Sequence, residues 1–305
     1  MNFQLLCIEV GYMRNISLDG QEDLASYYRV FLGSPESLVN HGGEIEALRC
    51  KAYEIENQWV SAEEELIDLD SLPKNKEEFI KWYVGMERKM NIDIRFFIVF
   101  LRSEARLEQI AYYICMEELV DGSFDDLMAI VQLGMPIEPK MVAGENYWDE
   151  MGNGEFSSVH TKMFKESSAY MRCVLDKMGV TTNRPTLECL MNGNMLLMLA
   201  LRREFNVRLI GAMGLVEGSA PVRFRATTEG LNRLRQPERV IAYHKAHITI
   251  DARHSRAWLE IVLDYYASCG AGVVKELALG VVMRYNVALR YYNHMYLMMR
   301  GLNYE

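Results

Sequence analysis

The chain has 305 residues, of which half are hydrophobic and a quarter charged. These are the proportions of a globular protein with enough apolar surface to offset the entropy of ordering. Its 33 basic and 42 acidic residues leave a net charge of −9, which argues against a nucleic-acid binder, since that needs a basic face to displace counterions from phosphates.

In chain order, the start Met-Asn-Phe-Gln-Leu-Leu has no basic region followed by an apolar core, so no secretory signal is expected. Alternation at Phe3, Leu5, Cys7 and Glu9 is the one strand-like pattern, and it is short. The acid-rich residues 54–70 read as a solvated helix face or loop. Asn75 followed by Glu78 predicts a capping box, opening a helix with Phe79, Ile80, Trp82, Tyr83 and Met86 at helical spacing. Helical periodicity continues over 95–120, 123–133, 155–177, 185–205, 207–217, 237–266 and 270–300. The expected breaks include Gly134-Met-Pro136, residues 181–185 and Gly218-Ser-Ala-Pro221. The most apolar run, residues 195–201, is closed by Arg202 and Arg203 and falls short of the roughly 18–20 residues of a membrane span, so no membrane partner is expected.

The six cysteines (Cys7, Cys50, Cys115, Cys173, Cys189, Cys269) are scattered and read as buried reduced thiols, which makes the cytoplasm the expected compartment. The predicted architecture is all-α, with a helical N-terminal extension over 1–90 and one helical domain over 91–305. Tyr285, Tyr291, Tyr292, Met295, Tyr296, Met298 and Met299 read as an exposed apolar cluster and suggest a homodimer.

The chemistry lies in four stretches. The histidines are His41, His160, His244, His247, His254 and His294, and two of them fall in His247-Ile-Thr-Ile-Asp251-Ala-Arg-His254. On a helix, offsets of four and seven put His247, Asp251 and His254 on one stripe. Two imidazoles and a carboxylate make half a metal site, better suited to iron, manganese or zinc than to calcium or magnesium. The plainer alternative is a polar helix with surface histidines. The second stretch holds Glu150 and His160, ten residues apart with Gly152 and Gly154 between them. These two share an ion only if the glycines bend the segment, or else two ions are bound. In the third, Glu117 and Asp121 lie four apart amid Tyr112, Tyr113, Ile114 and Met116, where acids are costly to bury unless paired or metal-bound. In the fourth, Glu217 ends a small, apolar run, a position that is unfavourable for an acid at a helix C-terminus and favours a nearby cation. Carboxylates and histidines from several helices are the ligand supply of non-haem dimetal sites.

Taken in order, residues 117–126, 146–160, 210–221 and 247–258 resemble the iron-containing redox enzyme family, within the haem-oxygenase-like diiron oxidases and oxygenases. The resemblance implies a seven-helix haem-oxygenase-like bundle that binds no haem. It implies two iron ions per chain cycling between Fe(II) and Fe(III), dioxygen as cosubstrate, a small-molecule substrate and an external reductant. The implied ligands are Glu117, Glu150, His160, His247, Asp251 and His254, with Glu217 at a further carboxylate position; Glu117 is preferred to Glu118 for its offset from Asp121. One departure stands out: members often carry a glutamate three residues before the histidine matching His160, where this chain has Ser157. Glu217 or Asp121 would then supply the carboxylate, or the second iron is held weakly. The implied chemistry is oxidation of a small amine, amino-acid-like or fatty-acid-like substrate, with N-oxygenation favoured. Tyr147, Trp148 and Trp258 are candidates for the pocket wall, and Arg202, Arg203, Arg223 and Arg225 for recognising a substrate carboxylate. Three other readings stay open: a carbon–carbon-cleaving or desaturating oxidase, a metal-dependent hydrolase, and a metal-free helical binding protein.

Overall fold

The computed structural model describes residues 16–180 and 185–302, and every regular element among them is helical. The strand-like alternation at Phe3, Leu5, Cys7 and Glu9 lies outside the described residues, as does the break expected over 181–184. No helix among the described residues is long and apolar enough to cross a membrane.

The N-terminal part is built from α1 (Leu18–Phe31), α2 (Pro35–His41), α3 (Ile45–Glu65) and α4 (Lys76–Asp93). The capping box holds in a shifted form. Asn75 Oδ1 accepts from the Glu78 amide at 2.9 Å, and Glu78 Oε2 reaches back to the amide of Lys74 at 2.9 Å. The acid-rich stretch is not simply solvated. Glu56 and Glu63 are buried, because partners far along the chain neutralise them. Tyr28 donates to Glu56 at 2.7 Å and Arg202 at 3.0 Å, while Arg290 and Trp59 donate to Glu63.

The bundle continues through α5 (Arg95–Val99), α6 (Leu107–Asp121), α7 (Phe124–Val131), α8 (Ile137–Glu150), α9 (His160–Lys177) and α10 (Leu187–Leu201). It closes with α11 (Asn206–Arg233), α12 (Glu238–Ala257), α13 (Asp264–Ala267) and α14 (Ala271–Gly301). Helix α11 runs through the middle, packed against both α12 and α14, and α9 packs on α6 and α12. The α11–α14 crossing is close enough to need glycine. A Cβ on Gly280 would lie 1.9 Å from the Arg208 carbonyl, and one on Gly211 would lie 2.2 Å from that of Leu277.

Several expectations are corrected here. Gly218-Ser-Ala-Pro221 does not end a helix; α11 continues through Pro221 for 28 residues. The proline forfeits one bond, to the Glu217 carbonyl, but burial of α11 between its neighbours outweighs that local cost. The segment after residue 155 is not yet helical: α9 begins at His160, after two 3₁₀ turns. Tyr285, Tyr291, Tyr292, Met295 and Met299 are buried in the chain's own core and offer no surface to a second copy. Of the cysteines, Cys115 and Cys189 are buried but Cys50, Cys173 and Cys269 are exposed, and none of these five is in a disulfide.

Candidate metal centre

Helix α12 buries Val240, His244, His247, Asp251 and His254 along a single stripe. The buried stripe begins with Val240 and Ile241, and from His244 onward it carries nitrogen and oxygen donors into the interior. Helix α11 presents Glu217 to this stripe, and α8 ends on Asp149 and Glu150. After α8 the backbone takes positive φ at Gly152 (63°), Asn153 (54°) and Gly154 (85°). A Cβ on Gly152 would sit 2.5 Å from the carbonyl carbon of Ser158, so only glycine permits the chain to double back there. The bend puts His160 Nδ1 2.9 Å from Glu150 Oε2, the juxtaposition a straight helix forbids.

Two buried groups result, Glu150–His160–His247 and Glu217–Asp251–His254, each with its donor atoms within 4.8 Å of one another. They share α12, with His247 and Asp251 one turn apart. His247 and His254 each have their tautomer fixed by a partner outside their group. His247 Nδ1 donates to the Tyr243 carbonyl at 2.8 Å, leaving Nε2 3.7 Å from Glu150 Oε1. His254 Nε2 lies 2.8 Å from Asp149 Oδ2, leaving Nδ1 3.7 Å from Glu217 Oε2. Asp149 is itself held by Arg253 and by Asn153 Nδ2 at 3.0 Å.

The electrostatics describe an interior overloaded with negative charge. Burial acts upward on the Glu150 carboxyl, but hydrogen bonds and charge from His160 and His247 outweigh it and hold it at about 2. Asp251 is pushed well above the carboxylate range, by burial first and then by the charges of Glu217 and Glu150. For His254, burial acts downward, yet Glu217 and Asp149 raise the imidazole to about 8. Glu150, Glu217 and Asp251 are each at most 4% exposed, and among the described residues none makes an ion pair with lysine or arginine. Such a set is costly as it stands and is stabilised by cations. The first group is a two-histidine, one-carboxylate set of the kind that suits Fe(II), and the second adds two carboxylates and a histidine. These residues fit a pair of iron ions.

Glu117 stands apart from both groups. Arg223 Nη1 and the Tyr291 hydroxyl each donate to its carboxylate at 2.5 Å, so both oxygens are engaged. Glu118 points elsewhere, accepting from Ser168 and Arg172. Asp121, one turn further along α6, lines a cavity of about 20 Å³ together with Phe124, Val216, Glu217, Arg223, Phe224, Tyr243, His247 and Asp251. Burial, with Glu117 and Glu150 nearby, raises its carboxyl to about 7 against the pull of Arg223. Ser157 bonds Glu155 on the surface, away from the centre. Trp148 is half-exposed, while Trp258 is fully buried and donates to the Ile210 carbonyl at 3.0 Å. Of the four arginines, Arg223 alone lies on the cavity wall. Sequence reasoning missed Asp149, whose role appears only once the 152–154 bend is formed; its one signal was adjacency to Glu150.

The sequence profile described as iron-containing redox enzyme matches residues 111–288, a span that includes both groups. None of the curated proteins matches the chain in sequence. Two crystal structures of a CADD-like protein of unknown function from Nostoc punctiforme share the fold. One has a TM-score of 0.53 at 14% identity, covering 72% of this chain and 98% of that one. The other has a TM-score of 0.51 at 14% identity, covering 74% and 100%. With more than half of its length matched and an all-α haem-oxygenase-like bundle around two buried histidine–carboxylate groups, the chain belongs to the iron-containing redox enzyme family.

Proposed function

We propose that this protein is a non-haem diiron oxygenase or oxidase that uses dioxygen to oxidise a small amine, amino-acid-like or fatty-acid-like substrate. The observation that carries the reading is the pair of adjacent buried groups sharing α12. Glu150, His160 and His247 would hold one ion and Glu217, Asp251 and His254 the other. When bound, the iron pair supplies the electrons that activate dioxygen and the oxidising power turned on the substrate. Glu117 remains a possible ligand only if it leaves Arg223 and Tyr291, and its role in this reading is to neutralise Arg223.

The chain's own contribution is to hold and to exclude. The Tyr243 carbonyl and Asp149 fix which nitrogen of His247 and of His254 faces inward. Phe124, Val216, Ala220 and Phe224 give the cavity an apolar wall that keeps bulk water from the centre. Net electron demand calls for an external reductant. A carbon–carbon-cleaving or desaturating oxidase would use the same ligands and differ in the pocket lining.

The test is anaerobic titration with Fe(II), then an oxygen pulse followed by stopped-flow absorbance, with His254→Ala and Glu150→Ala as controls. Two irons per chain and a transient visible band, both diminished in the variants, are expected. Absence of iron uptake by the wild-type chain would sink the enzyme reading and favour a metal-free helical binding protein.

A further inference from the structure

A centre that activates dioxygen carries oxidising power whether or not a substrate is in place, and the side chains around it are then the nearest reductants. Among aromatic side chains, indole and phenol rings give up one electron most readily. Around the two metal groups these rings are of two kinds. Tyr243 and Trp258 are at most 2% exposed, and Trp258 commits its N–H to the Ile210 carbonyl at 3.0 Å. An electron taken from either ring leaves its hole sealed in the core. Trp148 differs. It is 52% exposed, and one peptide link joins it to Asp149, whose Oδ2 lies 2.8 Å from His254 Nε2. The route from this ring to a metal-binding imidazole is covalent apart from one hydrogen bond. Electrons tunnel far better along such a route than across gaps between atoms.

The bend after α8 fixes both residues of this route. Asn153 Nδ2 donates to Asp149 Oδ1 at 3.0 Å. Gly154, at a φ of 85°, takes the indole, since a Cβ there would lie 3.2 Å from Cζ2 and Cη2 of Trp148. Neighbouring residues of one turn thus hold the supporting carboxylate through a hydrogen bond and the ring through close packing on backbone. The ring is placed by the same feature that brings Glu150 to His160.

We propose that Trp148 is the outlet for unspent oxidising equivalents, its indole passing an electron through Asp149 and His254 to the metal centre when no substrate is there to be oxidised. The inference rests on the iron-centre reading above and adds to it a means of protecting the site. In this step the indole loses one electron to the centre and its N–H proton to solvent, which leaves an indolyl radical. A one-electron reductant in solution, such as ascorbate, returns an electron and a proton and restores the ring. Half-exposure gives both the proton and the reductant their access, which Tyr243 and Trp258 lack.

The experiment mixes Fe(II)-loaded protein with dioxygen in the absence of substrate, freezes it during the reaction and reads it by electron paramagnetic resonance, with ring-deuterated tryptophan to identify the radical. Oxidised peptides are mapped by mass spectrometry in the same samples. The expected result is an indolyl signal in the wild type that is lost in Trp148→Phe and kept in Trp82→Phe, with equal iron per chain in all three. Lasting oxidation is expected to concentrate at Trp148 and to fall several-fold when ascorbate is present. The wild-type measurements stand without the variants, so a variant that fails to fold does not remove the test. A wild type that consumes dioxygen with neither an indolyl signal nor oxidation at Trp148 would overturn the proposal. A signal that persists in Trp148→Phe, or that belongs to Tyr147 or Tyr243, would overturn it too. Zinc-loaded protein given dioxygen and a chelated Fe(II) salt in solution reports damage by diffusible oxidants, and equal oxidation of Trp148 there would rule out the route through Asp149. Failure of the iron-centre reading is distinct: the wild type itself would then take up no iron.

Discussion

His254 is gripped from behind by Asp149, with Nε2 2.8 Å from Oδ2, and this is what leaves Nδ1 facing Glu217. With an ion bound to Nδ1, Asp149 would support the ligand from behind by selecting its tautomer and ring orientation. Asp149→Ala is therefore expected to lower affinity at the Glu217–Asp251–His254 group by about 10–100-fold, leaving Glu150–His160–His247 filled. Equilibrium dialysis with Fe(II) checks this: one strong and one weak site per chain is the expected outcome, and two unchanged sites would contradict it.

The other group depends on backbone instead of a supporting carboxylate. Gly152 holds φ at 63° against the Ser158 main chain, and an alanine there is both strained and clashing. Gly152→Ala is expected to cost about 1–3 kcal/mol in stability and to separate Glu150 from His160. Urea denaturation reports the first effect. Loss of one iron per chain, with the Glu217 group retained, reports the second; full iron content would show that the bend survives alanine.

These two supports differ in how far they can be read from sequence. His247, Asp251 and His254 were legible because helix geometry alone aligns residues at offsets of four and seven. Glu217 was found, but its helix was cut short, because Pro221 was given its local meaning and the packing of α11 on α12 and α14 was not visible. Whether Glu150 and His160 share an ion stayed conditional on a bend that the glycines permit but do not dictate. Asp149 and Asp121 were not separable from their neighbours, since which carboxylate of an adjacent or one-turn pair faces the centre depends on helix rotation. The same blindness made Glu56 and Glu63 look solvated, when their partners Arg202 and Arg290 lie 146 and 227 residues away.

Arg223 and Glu117 form a buried ion pair 2.5 Å apart, both nearly inaccessible. Removing one member leaves the other charge stranded, whereas removing both need not be costly. Arg223→Met is expected to destabilise the metal-free protein by about 3–5 kcal/mol, and Arg223→Met with Glu117→Gln to recover most of that. A double-variant cycle by urea denaturation measures the coupling. If the double variant is as unstable as the sum of the singles, the pair is not acting as a unit.

His244 supplies a dependence on pH with a defined sign. Burial first, then the charges of Arg223 and His247, lower its imidazole from 6.5 to about 3. Its Nδ1 has no hydrogen-bond partner, and the rings of Phe164, Tyr243 and Phe224 surround it. The unfolded chain takes up this proton below about 6.5, while the native state refuses it until about 3. The stability that follows from keeping His244 neutral is thus fully present above 6.5 and is lost as pH falls through that window. The loss is about 1.4 kcal/mol per pH unit. His244→Phe removes the titration and keeps the aromatic packing. The difference in stability between wild type and variant, measured on metal-free protein from pH 7 down to 4, should shift towards the variant at about that slope. Parallel curves would mean that His244 takes up its proton in the folded state near the ordinary value, and that its pocket is wetter than its burial suggests.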